Sequence, residues 1–145
     1  MGAFVGVRVY EPAGGSFRPN DEDGGIYIAF TQNDFAVLYH RNHNITGKKW
    51  EEGVVMFDLP VGFKEMQTLA IVDTGDKIFY YIAQEDSYTL FLTLELSSNK
   101  IKAFDAANEL IYEADNNMGG DLGGYFKVFN HFGQTVIDNV IIKER

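Results

Sequence analysis

The chain has 145 residues, 46% hydrophobic and 14% aromatic, with a formal net charge of -9 and no cysteine. That is enough apolar material for one buried core rather than a disordered chain, and the charge repels nucleic acid and anionic lipid. Disulfides, thiolate nucleophiles and zinc ribbons are excluded, and no apolar run approaches the roughly 20 residues of a membrane helix, so no membrane insertion is expected.

Period-two alternation organises the chain from its start. In Val5-Gly6-Val7-Arg8-Val9-Tyr10 the valines share one face, Arg8 and Tyr10 the other. Glu11 to Gly25, rich in Gly, Pro, Asn and Asp, reads as a surface loop. Gly25 to Thr31 predicts a strand with Ile26, Ile28 and Phe30 opposite Tyr27 and Ala29. Gln32-Asn33-Asp34 turns the chain into Phe35 to Arg41, a partner strand apolar on both faces, whose inward set the pattern does not select. Asn42 to Lys49 is polar loop, and Gly53 to Leu59 a further strand ended by Pro60.

Thr68 to Val72 and Lys77 to Ala83 flank Asp73-Thr74-Gly75-Asp76, the clearest hairpin. Tyr88 to Leu96 alternates, with Leu90, Leu92, Leu94 and Leu96 on one face. Ile101 to Phe104 and Leu110 to Glu113 flank the turn at Asp105 to Asn108. Asp115 to Gly124 is a Gly/Asn/Asp loop, and Tyr125 to Asn130 with Thr135 to Lys143 predicts a closing hairpin. About ten short strands without a long helical pattern predict a single all-β domain over residues 1–145, a two-sheet antiparallel sandwich.

Gly119-Gly120, Gly123 to Asn130 and Val136-Ile137-Asp138-Asn139-Val140-Ile141-Ile142 resemble the end of a concanavalin A-like lectin/glucanase domain. Thr68 to Ile82 is similar to a hairpin of the same class that ends near a sugar site. The resemblance implies a jelly roll with a carbohydrate on its concave face or rim loops. It also implies a domain of a larger protein, secreted or at the cell surface. Met1-Gly2 leads straight into strand-like sequence with no visible signal peptide, so the expectation is either a cytoplasmic protein or, the favoured one, a domain cut from a longer chain.

Sugars present C–H patches that stack on aromatic rings, while polar side chains hold their hydroxyls. Alternation sets Arg8, Tyr10, Tyr27, Tyr39, Tyr81 and Phe129 opposite the core, and Trp50 sits in the polar run Lys48 to Glu52. These residues are the candidate platform for a polysaccharide or oligosaccharide. The plainer reading is that strands favour Tyr and Phe, and that part of the set packs inside. Asp115, Asn116, Asn117 and Asp121 crowd one loop, the oxygen donors that calcium takes, although Asp and Asn also simply form turns. In domains of the resembling class, an Asp placed like Asp138 fixes the closing strand by hydrogen bonds or a structural ion. His40-x-x-His43 is not a metal motif on a strand and loop, since i and i+3 point to opposite faces there.

Retaining hydrolases of this fold place Glu-x-Asp-x-x-Glu on one strand, and no such run occurs here. Tyr125 to Asn130 is similar to a strand of jelly-roll alginate lyases, but their Gln-Ile-His element is missing, and Phe129 and Phe132 lack the needed hydroxyl. The expectation is a non-catalytic carbohydrate-binding module. A structural or protein-interaction sandwich, and a polysaccharide lyase, are the alternatives.

Overall fold

A strand satisfies its backbone only by pairing with a neighbour, so alternation in sequence becomes structure only where a partner lies alongside. The computed structural model describes residues 3–10, 24–31, 34–41, 54–60, 67–115, 125–130 and 140–143. The strands are β1 (Ala3–Tyr10), β2 (Gly24–Phe30), β3 (Phe35–Arg41), β4 (Val54–Asp58) and β5 (Leu69–Asp73). They continue with β6 (Lys77–Gln84), β7 (Ser87–Leu96), β8 (Lys100–Asp105), β9 (Leu110–Asp115) and β10 (Tyr125–Asn130). No helix long and apolar enough to cross a membrane occurs among the described residues.

The strands form two five-stranded sheets, ordered β10-β1-β2-β3-β4 and β5-β6-β7-β8-β9, with every pairing antiparallel. This is the all-β, two-sheet antiparallel sandwich expected from the sequence. The second sheet is a plain meander. In the first, β10 returns after the whole second sheet to lie beside β1, so β10-β1-β2-β3 has the spatial order of a Greek key. Arg8 of β1 meets Asp73 of β5, and β4 touches β9, which fixes how the sheets stack.

One core fills the space between them. Val5, Val7, Ile26, Ile28, Phe30, Ala36 and Leu38 face Ile78, Tyr80, Ile82, Phe91, Leu92, Leu94, Ile101 and Ala103. Phe91 stands at the centre: its ring is 6.1 Å edge-on from Phe30, 6.2 Å stacked from Phe57 and 6.1 Å from Tyr80. The two apolar faces of β3 are also sorted. Ala36 and Leu38 enter the main core, while Val37, with Phe35 and Tyr39, belongs to a second cluster on the other side of the sheet.

Bulges account for two departures from simple alternation. Tyr80 pairs with Leu92 and Tyr81 with Leu90, so Phe91 is an extra residue on β7. Phe91 and Leu92 both enter the core, and Leu90, which alternation groups with Leu92 and Leu94, lies opposite Tyr81 instead. On β1 the register shifts between Gly6 and Val9, and Arg8 there adopts φ 49°. A bulge twists its strand and re-aims a side chain. Arg8 is thereby turned toward the second sheet, where it meets Asp73, rather than away from the core as alternation suggests.

The closing hairpin is found only in its first half. β10 pairs with β1, whereas residues 140–143 carry no strand; residues 135–139 lie outside the described residues. The β-branched run Val140 to Ile142 has no partner strand among the described residues to make it a β-strand.

Candidate functional site

A two-sheet sandwich has two outer faces, and here they differ. On the first sheet Phe4, Tyr27, Ala29 and Val37 are all buried, with Phe35 and Tyr39 packed against the Phe4 cluster. Tyr27 and Tyr39 lie directly opposite each other across β2 and β3, and the Tyr39 ring is 5.8 Å from Phe4. Tyr27 faces away from the main core, as alternation requires, but it is only 1% exposed. The period of a strand tells which side a residue takes and not whether that side is covered. The expected outward tyrosine is therefore not accessible to stack on a ligand. Burial also raises the Tyr39 phenol above its ordinary range.

The outer face of the second sheet is open. Val72, Phe79, Thr93, Phe104 and Leu110 form one continuous row in direct register across β5 to β9. Beside it Ala70, Tyr81 and Leu90 form a second row, and Ala83 pairs with Tyr88. On the other side Lys77, Glu95, Lys102 and Glu113 alternate in charge from strand to strand. None of these residues is buried, and Tyr88 is 57% exposed. Lys77 reaches Glu95 at 3.3 Å and Lys100 reaches Asp115 at 3.0 Å. The hydrogen bond and charge of Asp115 hold the Lys100 ammonium above its usual range. Aromatic and aliphatic side chains thus run across the strands, bordered by a ladder of opposite charges.

The sequence-based candidates divide among several places. Tyr81 belongs to this open face, whereas Tyr27 and Tyr39 belong to the opposite face of the sandwich, so the three cannot form one platform. Tyr10 ends β1 opposite Gly24, and Phe129 pairs with Phe4. Trp50, Asp121, Asp138 and His43 lie outside the described residues. Asp115 is exposed and engaged by Lys100, and no group of three or more metal-binding side chains occurs among the described residues.

Arg8 ties the two sheets together. Its Nε donates to Asp73 Oδ2 at 2.7 Å, its second guanidinium nitrogen donates to Asp73 Oδ1, and the same nitrogen donates to the Gly75 carbonyl at 2.6 Å. The Gly75 amide donates to Asp73 Oδ1 at 2.9 Å, with Gly75 at φ 99°, where glycine has no steric penalty. Burial alone would raise the Asp73 carboxyl. The Arg8 hydrogen bonds, the Gly75 amide and the Arg8 charge outweigh it, and its pKa falls below the ordinary carboxylate range. The Tyr80 hydroxyl is buried with no hydrogen-bond partner among the described residues. Its burial and the Asp73 charge push that phenol upward, with Arg8 opposing. Arg8 is a structural clamp, not a free guanidinium.

Phe79, Tyr88, Thr93 and Phe104 were not among the sequence candidates. Phe79 shares the parity of Tyr81 on β6, which was signal enough to group them. The cross-strand row was not legible, because bulges at Phe91 and Ile111 shift the register.

His40 is the one buried polar or charged residue of the described set. Its Nδ1 lies 3.4 Å from the Tyr112 hydroxyl across the two sheets, and its Nε2 has no hydrogen-bond partner among the described residues. Burial lowers its pKa to about 4, so the imidazole is neutral at neutral pH. At the edge where β4 approaches β9, an open groove of about 390 Å³ is lined by Met56, Phe57, Leu59, Pro60 and Ile111, with Asp58 and Asp105. The chain matches no protein-family model, no curated protein sequence and no solved structure.

Proposed function

We propose that this domain is a non-catalytic carbohydrate-binding module whose glycan lies across the outer face of the second sheet. The observation that carries the reading is the accessible row Val72-Phe79-Thr93-Phe104-Leu110, with Tyr81 and Tyr88 beside it. Phe79 and Phe104 are two strands apart, about 9.5 Å at the usual strand spacing, the scale of a disaccharide in an extended chain. Their rings offer faces for sugar C–H patches, and Thr93 between them offers a hydroxyl to the sugar hydroxyls. The neighbouring row Lys77, Glu95, Lys102 and Glu113 contains both charge signs, which supplies further donors and acceptors. Aromatic stacking is kept at the expected Tyr81 and shifts from Tyr27 and Tyr39 to Phe79, Tyr88 and Phe104. The parent enzyme and the secreted or cell-surface setting implied by the family resemblance belong to the same proposal.

A glycan array on the isolated domain identifies the ligand, and calorimetry on variants then locates it. Phe79→Ala and Tyr81→Ala are each expected to weaken binding by about 1 kcal/mol or more. Tyr39→Ala, on the opposite face, is expected to leave affinity unchanged. Binding that is indifferent to Phe79 and Tyr81 contradicts the proposed face.

A further inference from the structure

Among the described residues, seven large apolar side chains are exposed: Met56, Tyr88, Leu110, Phe126, Val140, Ile141 and Ile142. Three of them are consecutive. Val140, Ile141 and Ile142 are 55%, 76% and 78% exposed, and β-branched residues in a row are strand formers. Met56, 64% exposed, lines the groove between β4 and β9. A run of strand-forming residues and a strand edge beside an apolar groove, neither with a strand partner among the described residues, are complementary.

β4 is the last strand of its sheet among the described residues, so its outer edge has no strand partner among them and is a template for an added strand. The groove beside it is apolar in Met56, Phe57, Leu59, Pro60 and Ile111 and carries Asp58. Lys143 directly follows the apolar triplet and is exposed. Neither Asp58 nor Lys143 has an ion-pair partner among the described residues. Apolar character, strand edge and charge all match.

From this we infer that Val140 to Lys143 of one copy docks in the β4/β9 groove of a second copy, as an added strand beside β4. The backbone of the segment pairs with the β4 edge, its isoleucines cover Met56 and Leu59, and Lys143 meets Asp58. The contact is heterologous, so it propagates to larger species unless two copies exchange segments reciprocally. A segment this short buries less area than a standard interface, and its association is correspondingly weak.

Sedimentation velocity on the full chain from about 10 μM to about 1 mM tests the inference. The weight-average mass is expected to rise with concentration. Ile141→Asp and Asp58→Lys are each expected to raise the concentration needed by about tenfold or more, and Asp58→Lys combined with Lys143→Glu to restore it. Circular dichroism melting of each variant, with these surface residues altered, reports that the fold is intact. A chain that stays monomeric throughout overturns the inference, as does wild-type association by Ile141→Asp or Asp58→Lys. Hydrogen-exchange protection of residues 140–143 in the dilute monomer also overturns it, because the segment is then covered within its own chain.

Discussion

Phe91→Ala is expected to cost about 3–5 kcal/mol of stability. The ring is 1% exposed and touches Phe30 and Phe57 from the first sheet as well as Tyr80 from its own. Its removal opens a void where the rings of Phe30, Phe57 and Tyr80 converge on it between the sheets. Interior packing is dense, and neighbours relax only part of the way into such a void. Phe91 also occupies the β7 bulge, where two successive residues enter the core, so no residue of the alternating pattern stands ready to replace it. Chemical denaturation reads the loss as a lower midpoint at an unchanged slope. A cost below about 1 kcal/mol, the size of an exposed truncation, would show that Phe91 does not join the sheets.

Acid is expected to destabilise the fold between about pH 6.5 and pH 4 through His40. The unfolded imidazole binds its proton near pH 6.5, whereas burial keeps the folded one neutral down to about 4. Between these values the unfolded chain holds more protons than the folded one, so stability rises with pH across the window and is lost as pH falls. The full contribution is present above pH 6.5 and amounts to about 3 kcal/mol. Asp73 acts in the same direction at lower pH, since its depressed pKa means stability lost as the carboxylate is protonated. His40→Gln removes the titration and leaves a neutral amide beside Tyr112. Its denaturation midpoint is expected to vary with pH less steeply than that of the wild type over this window. Identical slopes would assign the acid sensitivity to other groups.

Local pattern made much of this architecture readable. The hairpin at Asp73 to Asp76 and the turn at Asp105 to Asn108 carry their own turn chemistry, and both connect adjacent antiparallel strands. Ile26, Ile28 and Phe30 reach the core as their parity requires. Parity fails where a bulge inserts a residue, which is why Leu90 and Arg8 end up on other sides than alternation suggests. It is also silent about cover: Tyr27 and Tyr81 look alike in sequence, yet one is buried and the other lies on an open face. The row from Val72 to Leu110 depends on the register of four strand pairs, a long-range property that turn residues and composition do not encode. Arg8 and Asp73 are separated by 65 residues in sequence, and nothing local to either announces their pairing.

The second sheet presents an open aromatic face, while the residues on the matching face of the first are buried. Hydroxyl-radical footprinting of the native chain measures this directly, side chain by side chain and without a ligand. Fast oxidation is expected at Tyr88, Tyr81 and Phe104 and protection at Tyr27 and Phe4, with Tyr80 as the buried reference on the same strand as Tyr81. Tyr81 and Phe104 protected to the level of Tyr80, or Tyr27 oxidised as fast as Tyr88, would contradict it.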